Sequence, residues 1–164
     1  MKNYFYILGL FSLLIACKEE VQKEPSSPSE PIGQLEKESL EEQAKKLKEE
    51  GYQTFIYKEG DSTYLMQQYY MVFLKSGEKR SQDSTEAAQL QAKHLSHLER
   101  MAVEGYASLI GPFEDDSDVR GIVIYNTKTL KEADSLANMD PMVKAGRLKV
   151  EVHPWWTQKG GKLK

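Results

Sequence analysis

Two helix-start signals fix the order of elements in the second half of this chain. Asp83 is followed by Glu86 and Thr129 by Glu132, each pair at the spacing in which a side chain caps a helix and an acidic residue sits three positions on. Gly105 is placed to end the first helix in a left-handed turn, so the spacing predicts a helix over Ser84–Glu104. The second helix should stop near Asn138, because the residue before Pro141 avoids helical dihedrals. Around these helices the pattern is strand-like, over Tyr64–Leu74, Tyr106–Phe113, Arg120–Asn126 and a short Leu148–Val152. The acidic run Asp115-Asp116-Ser117-Asp118 joins two of these strands. It lacks the remaining spacing of a calcium loop and reads as a hairpin turn.

The order from Tyr64 is therefore β-α-β-β-α-β, an α+β ferredoxin-like arrangement with an antiparallel sheet and both helices on one face. Tyr64–Leu74 is long and apolar enough to be expected at the sheet's centre. Upstream, Tyr52–Tyr57, the turn Lys58-Glu59-Gly60-Asp61 and the strand from Ser62 form a hairpin, which adds one extra N-terminal strand. Gln34–Glu50 carries Leu35, Leu40, Ala44 and Leu47 as sparse apolar positions, the pattern of an exposed spacer helix or one docking weakly. Val21–Pro31 is dominated by proline and serine, with little to bury, and reads as a linker.

The chain's start differs from everything after it. Lys2 precedes the run Tyr4–Ile15, nearly all apolar but too short for the roughly 20 residues that span a bilayer. A basic start, a short apolar stretch and a small residue before the cut describe an export signal. Leu14-Ile15-Ala16-Cys17 resembles the bacterial lipobox, in which the cysteine takes fatty acyl chains such as palmitate and becomes the anchored N-terminus; the alternative is an ordinary cleaved signal. Cys17 is the only cysteine, so no internal disulfide is available and lipidation would give that thiol a role. Anchoring by several acyl chains is stable.

The expected organisation is a signal peptide over 1–16, a lipid-anchored tether with its spacer helix over 17–50, one α+β domain over 51–157 and a tail over 158–164. The expected location is the cell envelope, at the outer membrane on its periplasmic or surface face. With 164 residues there is room for one ordinary domain plus extensions. Removing residues 1–16 takes away one of the 22 basic residues and none of the 25 acidic ones, leaving a formal charge of −4. No basic stripe or aromatic-basic motif recommends a nucleic-acid partner.

On the Ser84–Glu104 helix, Ala87, Leu90, His94, Leu95, Leu98, Met101 and Ala102 fall in an arc of about 140°, which turns His94 toward the sheet. That position suits either a core histidine satisfied by one hydrogen bond or a functional one. Arg80, Ser81 and Gln82 precede the helix, where an arginine and a helix N-terminus can hold an anionic substrate; loop chemistry and capping explain them equally. Asp140, before Pro141 and with Gly146 beyond, is placed to cap a short helical turn.

His97 and His153 lack a matching acidic or cysteine spacing, so no metal site and no cofactor are expected. Arg120 is a minor candidate for a cleft. Tyr69, Tyr70, Trp155 and Trp156 are candidates for a pocket, a core or a dimer interface. No serine shows a nucleophile elbow and the one cysteine is taken by the anchor, which favours isomerisation, elimination or proton abstraction over acyl transfer.

Phe73-Leu74-Lys75, Arg80-Ser81-Gln82-Asp83, His94-Leu95, Glu104-Gly105, Gly111-Pro112-Phe113, Asp140-Pro141, Ala145-Gly146 and His153-Pro154-Trp155-Trp156 together resemble the YCII-related (YciI-like) family, over Tyr64–Trp156. The resemblance implies a ferredoxin-like fold, pairing of sheets into a dimeric α+β barrel, and a cleft in each subunit. It also implies an active pair of histidine and aspartate, which fall here on His94 and Asp140, acting on a small molecule. Few relatives have an assigned reaction; a dehydrochlorinase of aromatic degradation is one, and lactone isomerases and small monooxygenases share the fold, which does not choose among reactions. The anchor, the spacer and the extra strand depart from short members of the family. A non-catalytic ligand-binding or dimerisation module of the envelope is the competing reading.

Overall fold

A computed structural model describes residues 38–163 of the 164. The expected signal peptide, Cys17 and the expected proline-serine linker lie outside these residues. The elements in chain order are α1 (Leu40–Glu49), β1 (Thr54–Glu59), β2 (Ser62–Ser76), α2 (Ser84–Val103), β3 (Ala107–Pro112), β4 (Val119–Tyr125), α3 (Leu130–Asn138), α4 (Pro141–Lys144) and β5 (Leu148–Gln158).

Both predicted caps form. The Asp83 carboxylate accepts from the Glu86 amide at 2.8 Å, and the Thr129 hydroxyl accepts from the Glu132 amide at 3.1 Å. Gly105 ends α2 with φ of +80°, a left-handed conformation that a side chain would strain. Every strand pairing is antiparallel, in the order β5-β2-β4-β3, and β1 pairs with the first half of β2 on the edge that β4 takes further along. This is the α+β ferredoxin-like sheet expected from the sequence, with β1 as the extra strand.

β2 is central, and it buries opposite faces in its two halves. Leu65, Gln67 and Tyr69 are buried in the first half, then Tyr70, Val72 and Leu74 in the second. Side chains alternate along a strand, so the buried side switches at Tyr69–Tyr70. α1 covers the first side: Ala44 is buried and its carbonyl accepts from the Thr54 hydroxyl, with Thr54 paired to Gln67. α2 and α3 cover the second, where Leu98, Met101, Ala133 and Ala137 pack with Val72, Val123 and Tyr125. Val72 and Met101 are fully buried, and burial of such a side chain contributes about 1.5–3 kcal/mol.

The last strand differs from expectation. Instead of stopping at Val152 it continues through His153-Pro154-Trp155-Trp156 to Gln158, pairing with Met66–Ser76. Proline lacks an amide proton, but β5 pairs only with β2 among the described residues, and an edge strand tolerates that loss. His153 therefore stands within the strand opposite Met71, on the face away from α2, where its Nε2 meets Glu151 at 2.7 Å.

Candidate active site

His94 lies on the sheet-facing side of α2 and is buried. Its Nδ1 is 2.5 Å from Asp140 Oδ2. Asp140 is only 1% exposed, and its other oxygen accepts from the Met142 amide at 2.8 Å, capping α4. The cap and the histidine contact, the two compatible roles that the sequence offered Asp140, are made by different oxygens of one carboxylate. A carboxylate only accepts, so Nδ1 carries the proton and donates it to Oδ2. That fixes the tautomer and leaves Nε2 as the basic atom of the neutral ring. Among the described residues no hydrogen bond engages Nε2.

His94 borders a cavity of about 520 Å³. The cavity opens at one end of the sheet, where β2 and β3 finish and β4 and β5 begin. Leu74, Leu98, Ile110, Phe113, Ile122 and Met142 give it apolar walls, and Gln91, Arg80, Arg120 and Arg147 supply its polar edge. Gly77 shapes the rim. A Cβ there would come within 2.2 Å of the Gly146 carbonyl oxygen, so only glycine lets the loop after β2 lie against the start of β5, where the Gly77 amide donates to the Arg147 carbonyl at 2.9 Å.

Of the three loop residues singled out in the sequence, Arg80 lines the cavity, Ser81 is exposed away from the lining, and Gln82 acts through a neighbour: its side-chain oxygen accepts from Arg147 at 2.9 Å. Arg120 lines the cavity, with one nitrogen donating to the carbonyls of Asp115 and Ser117 at 3.2 and 3.1 Å. Arg147 was not singled out from the sequence. Its signal was faint, a cation directly after Gly146, where a chain reversal places it beside the strand ends. Tyr69, Tyr70, Trp155 and Trp156 do not line the cavity; Tyr70 belongs to the core.

His97, one helical turn on, has a different setting. Arg100 donates to its Nδ1 at 3.2 Å, which puts the ring proton on Nε2, and Nε2 is buried without a partner meeting hydrogen-bond geometry. Burial pushes the His97 pKa down, the Asp140 charge opposes that, and Arg100 and His94 reinforce it. In the core cluster with Leu98 and Met101, the Tyr125 pKa is pushed up to about 12, mainly by burial and further by the Asp140 charge.

A family model described as "YCII-related domain" matches residues 69–156, more than half of the chain. Among solved structures, the 5-chloro-2-hydroxyhydroquinone dehydrochlorinase of Burkholderia phenoliruptrix AC1100, in complex with 2,5-dihydroxybenzoquinone, is 23% identical, covers 52% of this chain and 92% of its own, and has a TM-score of 0.40. No curated protein matches the chain.

Proposed function

The chain belongs to the YCII-related domain family, and on that premise we propose that it is a small enzyme in which His94 moves a substrate proton and Asp140 orients it. The observation that carries this reading is the pairing of His94 Nδ1 with a buried carboxylate while the ring borders a cavity of small-molecule size. The carboxylate holds the ring, stabilises the imidazolium that forms on proton uptake, and aligns Nε2 as base and then as acid. The reaction class is isomerisation, elimination or abstraction of a proton from carbon.

The reading extends to where the protein works. Acylation of Cys17 holds it to the cell envelope at the outer membrane, with residues up to about 50 as tether; the support is Leu14-Ile15-Ala16-Cys17 and the absence of any other cysteine. Incorporation of labelled palmitate into the wild type and not into Cys17→Ser tests this. A homodimer through the open sheet face is part of the same proposal, supported by the exposed Leu109 and Trp155 beside the partly covered Met71 and Phe73.

The decisive experiment compares His94→Gln with the wild type. Normal folding and ligand retention with conversion lost supports the enzyme. Ligand binding with no conversion in either protein favours the second reading, a non-catalytic envelope module, for which the apolar sheet face is the supporting observation.

A further inference from the structure

Two cations of this protein, Lys75 and Arg100, stand beside carboxylates. Lys75 lies between Asp118 at 3.4 Å and Glu151 at 3.1 Å, and Arg100 lies 3.9 Å from Glu104. The three arginines of the cavity do not. Arg80, Arg120 and Arg147 form no ion pair among the described residues, and the cavity lining contains no aspartate or glutamate. Two of them are nevertheless held in place, Arg147 by Gln82 and Arg120 by two turn carbonyls. Neutral groups orient these guanidinium groups without neutralising them.

Their places in the sheet matter as much as their charge. Arg147 stands at the start of β5 and Arg120 at the start of β4, the strands on either side of β2. Two strand spacings and the offset in register separate their backbones by roughly 10–12 Å. Arg80, two residues before Gln82, shares the Arg147 side. Apolar side chains line the same cavity as the three arginines, and so does His94.

From this layout we infer that the cavity takes a small organic dianion: two carboxylate groups joined by a short carbon skeleton, one held by Arg80 and Arg147, the other by Arg120. The skeleton packs on the apolar walls, and the carbon between the acids faces His94. A carboxylate beside that carbon acidifies its C–H bond, and a guanidinium on the carboxylate stabilises the charge that develops when the proton leaves. The inference names the substrate class for the site proposed above and rests on that site being the active one.

The test is a binding titration of the full chain, followed by NMR, with succinate, glutarate and adipate against butyrate and inorganic phosphate. At least one dicarboxylate should bind about tenfold or more tighter than butyrate, the scale of one added charge-assisted pair. Arg147→Gln and Arg120→Gln should each bring that dicarboxylate down to the butyrate level, and Arg147→Lys should lose less than Arg147→Gln because it keeps the charge. Equal binding of dicarboxylates and butyrate, phosphate matching the best dicarboxylate, or indifference to the arginine variants overturns the inference. The ring signals of His94 separate this result from the catalytic reading. Dicarboxylate binding that leaves His94 unmoved keeps the dianion site and removes the dyad from it. A His94 resonance that responds to Asp140→Asn while no dicarboxylate binds keeps the dyad and removes the dianion.

Discussion

His94 and His97 stand one turn apart on the same helix, both buried, and the chain treats them in opposite ways. One has a carboxylate on Nδ1 and its remaining nitrogen unbonded beside a cavity. The other has a guanidinium on Nδ1 and its remaining nitrogen buried near the Leu136 backbone, with no partner in good hydrogen-bond geometry among the described residues. The carboxylate accepts from the Nδ1 proton and leaves Nε2 as an acceptor, whereas the guanidinium donates to the Nδ1 lone pair and leaves the proton on Nε2. Burial alone therefore says little about what a histidine does; the partner on the first nitrogen decides what the second can offer.

The largest separation should come from replacing each ring by glutamine. With a substrate in hand, His94→Gln should lower kcat by about 10²–10⁴-fold, the usual contribution of a positioned acid–base group, while His97→Gln should change it by less than about threefold. Equal losses would erase the distinction. Next is the partner: Asp140→Ala removes both the acceptor of a buried N–H and the cap of α4, and should destabilise the fold by about 3 kcal/mol in urea unfolding. Arg100→Ala, at a half-exposed site, should cost less than about 1 kcal/mol.

Tyr125 senses both partners, since Asp140 and Arg100 each act on it. Its folded pKa lies above the unfolded value of about 10, so the folded state binds the extra proton. Stability is complete below pH 10 and should fall by roughly 2–3 kcal/mol as pH rises to about 12. Tyr125→Phe should flatten that part of the curve; an unchanged curve would assign the loss to other groups. The smallest effect belongs to His97. Its folded pKa is depressed, so its contribution is present above the unfolded value near 6.5 and is lost as pH falls below it. His97→Gln should remove that slope in stability measured between pH 7 and pH 5.

The sheet order and both long helices were legible because they depend on local chemistry: caps at Asp83 and Thr129, a left-handed stop at Gly105, strands between. The extent of β5 was not. Pro154 reads as a strand breaker unless its outer edge is known to be unpaired, and that is a property of the whole sheet. The switch of faces in β2 was also hidden, since Leu65 through Leu74 is apolar at odd and even positions alike and alternation cannot say which helix will cover which side. His94 and Asp140 could be singled out separately, but the contact between them spans 46 residues and depends on where α4 begins. Arg147 was lost for a similar reason: a guanidinium means little in sequence until the carbonyl of Gly146 is seen against Gly77.

The long β5 also decides how the molecule comes apart. The family match starts at residue 69, where β2 changes its buried side, so α1, β1 and the first turns of β2 look like a separate addition. Yet β5 runs unbroken past that seam, from Leu148 opposite Ser76 to Gln158 opposite Met66, bonding to both halves of β2. Amide protons on either side of residue 69 should therefore exchange with solvent in the same opening event. The N-terminal piece and the family-matched domain share one cooperative unit, joined by backbone hydrogen bonds rather than by a hinge.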